Sequence, residues 1–253
     1  MAWEDDLSSF ERTSANPLPS QPSRLAYWLA HHWLLVISLL LAIFAGLPWL
    51  APLFMELGWT RAASIVYWFY STQCHQLPQR SFFLFGASPT YSLPAIQAAG
   101  PNTDNVLMLR QFIGNSQMGW KVAWSDRMVA MYGSMLLWGL AFWLPLRKRL
   151  RPLPWWGLVL LLLPVAIDGF THLVSDLMDG VDAGFRTDNA WLATLTDHVF
   201  PATFYAGDAL GSFNSSMRLL TGLLFGLGLV WFLYPRFQAA AARFKERASA
   251  SSL

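Results

Sequence analysis

A single cysteine, Cys74, stands in 253 residues. No internal disulfide can form, and a metal site built wholly from thiolates is excluded. Charge is scarce as well: 13% of the residues are Asp, Glu, Lys or Arg, against roughly 25% in soluble domains. The net charge of +2 makes no case for a nucleic-acid partner. No internal repeat is visible, which argues against a transporter assembled from repeated halves. Residues 1–24 are polar and acidic, with Pro17, Pro19 and Pro22. They lack the apolar core and small-residue cleavage pattern of a signal peptide. A disordered cytoplasmic tail before an uncleaved first helix is expected there.

What the chain does hold is apolar surface. Hydrophobic residues make up 55%, and there are 14 tryptophans. Four runs suit membrane spans: 33–54, 127–146, 154–175 and 216–234, at about 20 residues per crossing. Pro48 and Pro52 are expected to kink or end the first. Residues 60–74 are apolar but short, which reads as an interfacial or re-entrant helix capped at Thr60. Basic residues gather in three places: Arg12 and Arg24; the segment Arg147, Lys148, Arg149 and Arg151; and Arg236, Arg243, Lys245 and Arg247. With four spans all three fall on one side, which the positive-inside rule makes cytoplasmic. The sequence therefore predicts an all-α, polytopic membrane helix bundle. It has four transmembrane helices, one interfacial or re-entrant helix and an ordered extracytoplasmic cap. Residues 25–237 form a single membrane domain with outer loops at 55–126 and 176–215. Residues 238–253 form a basic cytoplasmic tail, read as an amphipathic helix on anionic lipid.

Ionisable residues at membrane depth are costly unless paired or facing a polar cavity. This topology brings several to the outer face. The stretch Cys74-His75-Gln76 through Arg80 carries a soft ligand, an imidazole and a guanidinium within seven residues. Asp126 and Arg127 open the second span, and Arg218 opens the last. On the third, Asp168, His172, Ser175, Asp176 and Asp179 share one helical face. Asp168 and His172, at i and i+4, suit a shared metal ion, or Asp168 orients the imidazole. Cys74, His75, Asp168 and His172 are candidate ligands for zinc or iron. Adjacent Cys74 and His75 diverge, so one of them would join Asp168 and His172 in a three-ligand set. The plainer readings stand beside these. Asp168 forms a structural ion pair with Arg218 or Arg127, His172 is a packing histidine, and a lone buried cysteine is usually inert. Gly222 and Gly226 form a GxxxG that permits close helix approach, by default within the chain.

Four pieces in order carry a family resemblance. They are Cys74-His75-Gln76 with Arg80-Ser81-Phe82 and Gly86; Arg127 with Tyr132-Gly133; Asp168-Gly169-Phe170-Thr171-His172; and Asn214 with Arg218 and Thr221-Gly222. Over roughly 65–235 the chain resembles the DUF2085 family of predicted prokaryotic membrane proteins, whose function is not established. The resemblance implies the plasma (inner) membrane of a prokaryote. Many members carry further cysteines beside the arginine matched by Arg127, where this chain has Ser125 and Met128. A thiol site resting on them would be lost or rebuilt here. Members also tend to have Gln where His172 stands, and a shorter loop than 178–213.

Two functions from different classes follow. One is a non-catalytic membrane accessory protein or subunit of a larger membrane complex, with the bilayer and other subunits as partners. The other is a metal-binding or catalytic protein with an outer-face site. The group to examine is Cys74, His75, Arg80, Arg127, Asp168, His172 and Arg218. The sequence leaves open whether the protein is an enzyme.

Overall fold

The computed structural model describes residues 23–148 and 150–250, so the expected disordered tail falls almost wholly outside the described residues. Helix α1 (Arg24–Glu56) leads to a short helix α2 (Thr60–Ser71), a 3-10 turn at Pro78–Arg80 and strand β1 (Ser81–Leu84). Helices α3 (Leu93–Ala99) and α4 (Val106–Leu109) precede strands β2 (Gly114–Asn115) and β3 (Gly119–Ser125). Then come α5 (Asp126–Ala141), α6 (Trp155–Asp179), α7 (Ala190–Leu195), α8 (Ala202–Tyr205) and α9 (Phe213–Ala250). The chain divides into two units, residues 1–36 with 237–253, and residues 37–236. Within the first, Trp33 meets Phe237 edge-on at 6.0 Å.

The protein is mostly helical, and among the described residues three helices are long and apolar enough to cross a membrane: α1, α6 and α9. Pro48 and Pro52 lie inside α1 without ending it. Helix α9 continues through Pro235 to Ala250, so the basic segment extends the last helix rather than forming a separate one. Helix α5 has 16 residues, about 24 Å at 1.5 Å per residue. That is short of a hydrocarbon core of about 30 Å. Helix α2 is shorter still, at 12 residues.

The all-α expectation needs one correction. Strands β1, β3 and β2, in that order, form a small antiparallel sheet. Phe83 faces Lys121 and Leu84 faces Trp120 across the first pair. Its signal was hidden because most of β3 is buried on both faces. The period-2 alternation that betrays a half-buried strand is therefore absent. Gly86 is required here by close approach: a Cβ on it would lie 1.9 Å from the Met118 carbonyl oxygen.

Two kinds of packing hold this unit. Trp124 of β3 is fully buried among Phe44 of α1 at 5.2 Å, Tyr70 of α2 at 5.0 Å and Tyr132 of α5 at 4.9 Å between ring centroids. Each such pair adds about 0.5–1.5 kcal/mol beyond its buried area. Tyr70 also donates its hydroxyl hydrogen to the Phe44 carbonyl at 2.8 Å. On the other side, the GxxxG of α9 lies against α5. A Cβ on Gly222 would sit 2.5 Å from the Ala130 Cβ, and one on Gly226 would sit 2.1 Å from Ser134 Oγ. The missing side chains let Ser134 donate to the Gly222 carbonyl at 2.9 Å.

Candidate functional site

The Cys-His stretch is shaped by Gln76, which is buried and left-handed at φ 53°. Its amide donates to the carbonyls of Tyr67 at 3.0 Å and Ala123 at 2.8 Å. Its own carbonyl accepts from Lys121 Nζ at 2.7 Å. Gln76 therefore ties the stretch to α2 and β3, and the turn aims Cys74 and Arg80 toward the helices. Cys74 Sγ lies 3.4 Å from Ser125 Oγ and accepts from the Gln76 N–H at 3.3 Å. Ser125 is one of the two places where the family resemblance implies cysteine. The rebuilt contact is a thiol–hydroxyl pair. His75 is exposed.

Arg80 is not available to the Cys74 sulfur. Its Nη1 and Nη2 fork onto Asp176 at 2.7 and 2.8 Å, and its Nε reaches Asp208 at 2.8 Å. Arg218 gives Nε to both Asp126 oxygens at 2.8 and 2.9 Å, and Nη1 to Asp208 at 2.6 Å. Asp168 is held by Arg127 at 2.7 Å and by Arg186 at 2.8 Å. Four guanidiniums thus meet four carboxylates, drawn from the Cys-His stretch, α5, α6, the 180–212 segment and α9. His172 sits at the centre. Its Nδ1 is 3.0 Å from the Asp168 carbonyl and 3.4 Å from Arg127 Nη2, and its Nε2 is 3.4 Å from Arg218 Nη1. A proton on Nδ1, donated to that carbonyl, leaves Nε2 to accept from Arg218.

In the connecting segments the charges are tuned by this pairing. Burial opposes the negative charge of Asp208, but Arg80 and Arg218 overcome it and hold its pKa well below the usual carboxylate range. Burial likewise opposes the Arg80 charge, and Asp208 and Asp176 raise its pKa above the ordinary value. Lys121 is the contrast. Its ammonium is fully buried, held by the Gln76 and Arg110 carbonyls. Burial lowers its pKa to about 7, with the Cys74 sulfur opposing the shift and Arg110 adding to it.

Six of the seven residues singled out from the sequence line one cavity of about 530 Å³: Cys74, His75, Arg80, Arg127, His172 and Arg218. Asp168 does not line it. It borders a separate groove with Arg186 and Met217. Among the described residues no group of three or more His, Cys, Asp or Glu is placed to hold a metal ion. The proposed ligand set of Cys74, His75, Asp168 and His172 is therefore not brought together as one, because Asp168 is turned to Arg127 and Arg186. Asp168 pairs with Arg127 but not with Arg218, its other expected partner.

Sequence reasoning gave Asp126 and Asp176 only as neighbours of the site, and passed over Arg186 and Asp208. The last two lie in a polar segment that reads as solvated. The signal was Asn214, whose amide donates to the carbonyls of Arg186 and, at 3.0 Å, of Gly207. Four residues on, Arg218 takes both the carboxylate and the carbonyl of Asp208. The spacing Asn-x-x-x-Arg thus anchors that segment to the start of α9 at two points.

Apolar helices able to span a bilayer, with a buried network of ion pairs between them, define a multi-pass membrane protein. Residues 115–232 match the DUF2085 family, described as a predicted membrane protein. The Cys-His stretch lies before the matched segment. An uncharacterised protein of Methanocaldococcus jannaschii is 26% identical over 211 residues, covering 80% of this chain and 91% of that protein. No solved structure matches the chain.

Proposed function

We propose that this is a non-catalytic accessory protein or subunit of a larger complex in the plasma (inner) membrane of a prokaryote. It spans the bilayer four times with both termini cytoplasmic, the second span being α5 together with the apolar turn at Phe142–Leu144 that prolongs it. The turn-and-sheet region between α1 and α5 and the 180–212 segment form an extracytoplasmic cap. The carrying observation is the closed ion-pair network. Its carboxylates are each engaged by arginine, so it reads as a staple between helices rather than as a poised acid and base. Helix α2 supports an interfacial placement: Trp59, Ile65, Trp68 and Phe69 are exposed while Tyr67 and Tyr70 are buried, an arrangement suited to the bilayer surface. In the 180–212 segment Trp191, Leu195, Val199 and Phe200 are exposed, which supports docking of the cap on another subunit.

The lone cysteine makes sidedness testable. A membrane-impermeant maleimide should label Cys74 in intact cells, and should label an Ala250→Cys variant lacking Cys74 only after lysis. The reverse pattern would invert the topology. For the subunit role, native electrophoresis in mild detergent should show a species larger than one chain. Leu195→Asp with Val199→Asp should dissolve it. Migration as one chain throughout would overturn the reading.

A further inference from the structure

We infer that the cavity between the Cys-His stretch and helices α5, α6 and α9 binds a phosphate group, presented on a membrane amphiphile or free in solution. The inference goes beyond the subunit reading and does not depend on it.

The network is neutral as a whole, but its charges are not evenly placed about the cavity. Three guanidiniums line the cavity, those of Arg80, Arg127 and Arg218, against two carboxylates, Asp126 and Asp176. Asp168 and Asp208, which complete the balance, are not among the lining groups. The cavity therefore faces its contents with an excess of positive charge. The two lining carboxylates are capped. Asp176 is forked by Arg80 and Asp126 is held through both oxygens by Arg218. Neither can take a cation without breaking a buried pair.

Donors, by contrast, remain. Arg127 gives one nitrogen to Asp168 at 2.7 Å, while its Nε is buried without a partner. Its Nη1 lies beside Gly169, where even a Cβ would stand only 3.4 Å away. Gly169 lines the cavity too, so its bareness leaves the guanidinium room toward the open space. A guanidinium with donors still unspent suits a phosphate oxygen well. His75, exposed on the same lining, adds a further polar group.

The other wall is apolar. Leu173 and Leu177 line the cavity and belong to the exposed face of α6, at 50% and 76% exposure. A volume of about 530 Å³ exceeds what an inorganic anion needs and lies in the range of small-molecule sites, about 300–1,000 Å³. Positive charge at one wall and an apolar wall continuous with a bilayer-spanning helix fit a phosphate headgroup with the first part of its chains.

The test uses the full-length protein in detergent, followed by native mass spectrometry. Phosphatidic acid, the diacylglycerol of the same chains, and inorganic phosphate are titrated separately. Phosphatidic acid should bind at least about tenfold tighter than the diacylglycerol, the difference of one charge-assisted contact. Leu173→Trp, which fills the cavity from its exposed wall, should weaken binding by about tenfold or more without unfolding the chain. Arg127→Gln should do the same, with its melting curve showing whether it is folded. Saturable binding of inorganic phosphate, lost in Leu173→Trp, would assign the site to the free anion and uphold the inference. Equal binding of the two lipids with no binding of phosphate would overturn it. So would phosphate or phosphatidic acid binding that a folded Leu173→Trp leaves unchanged.

Discussion

Arg218 and Lys121 are both cations removed from water, and the protein treats them in opposite ways. Arg218, at the start of α9, is met by two carboxylates, Asp126 and Asp208. Lys121, in the middle strand of the sheet, is met among the described residues by two backbone carbonyls. A guanidinium stays charged and matches a carboxylate through two parallel hydrogen bonds, so it can be buried permanently in a pair. An ammonium can shed its proton, and an unpaired one buried in a sheet is under pressure to do so. The helix junction is therefore a fixed electrostatic fastening. The sheet beneath the Cys-His stretch is a fastening whose charge depends on pH.

The largest way to break this comparison is to remove Arg218. Arg218→Met leaves Asp126 and Asp208 buried with one guanidinium fewer between them. Breaking a buried pair from one side typically costs about 3–5 kcal/mol. Thermal unfolding in detergent should show that loss. Adding Asp126→Asn to the same chain should recover part of it, since the second stranded charge is gone.

Lys121 should behave differently. Lys121→Met removes a charge that is costly to bury but leaves the Gln76 and Arg110 carbonyls without their donor, so a loss of about 1–3 kcal/mol is expected at neutral pH, smaller than that of Arg218→Met. The stronger test is pH. The folded-state pKa is lowered to about 7 from the ordinary 10.5, so between those values the unfolded chain binds more protons than the folded one. Stability must then rise with pH through that window, by up to about 1.4 kcal/mol per pH unit. Below about 7 both states carry the proton and the gain is absent. The rise should vanish in Lys121→Met. The acid side reports the other fastening. Asp208 has its pKa depressed, so its contribution is present above the ordinary carboxylate range and is lost as pH falls toward the lowered value.

How much of this was legible depended on whether a residue's partner was near in sequence or marked by pattern. Asp168 and His172 were legible because a charge and an imidazole four residues apart inside an apolar run need a reason. Their setting was not legible: the Asp168 partner Arg186 sits in a polar segment that no hydropathy argument places indoors. The GxxxG of α9 was readable as close packing, and α5 proved to be its partner. The sheet was unreadable because burial on both faces removed alternation from β3. The apolar run through Phe142, Trp143 and Leu144 predicts a longer helix than the one that forms, which stops at Ala141.

A smaller effect separates packing from charge at the same junction. Gly226→Ala places a methyl 2.1 Å from Ser134 Oγ and 2.6 Å from the Met135 nitrogen. The second neighbour is backbone and cannot swing aside, so α5 and α9 must separate slightly. About 1–3 kcal/mol of destabilisation is expected. Gly133→Ala meets nothing within 4 Å and should cost nothing. If both variants behaved alike, the close approach of α5 to α9 would be wrong, and with it the placement of Arg218 against Asp126.

The smallest expected effect bears on what the cysteine is for. Cys74 is half-buried, and its sulfur makes two weak hydrogen bonds, to Ser125 and from the Gln76 N–H. Its turn is fixed by Gln76 and Lys121 rather than by the thiol. Cys74→Ser retains a donor and an acceptor there, so a loss under about 1 kcal/mol is expected. Metal content should be the same in the wild type, Cys74→Ser and His172→Ala. The two roles differ sharply in size. A sulfur that ligates a structural metal carries much of the folding energy of its site, because metal binding is coupled to folding. Stoichiometric zinc or iron in the wild type, lost together with several kcal/mol in Cys74→Ser, would mean that Asp168 can leave its arginines for a metal. The fixed fastening would then be a site held shut by its own ion pairs.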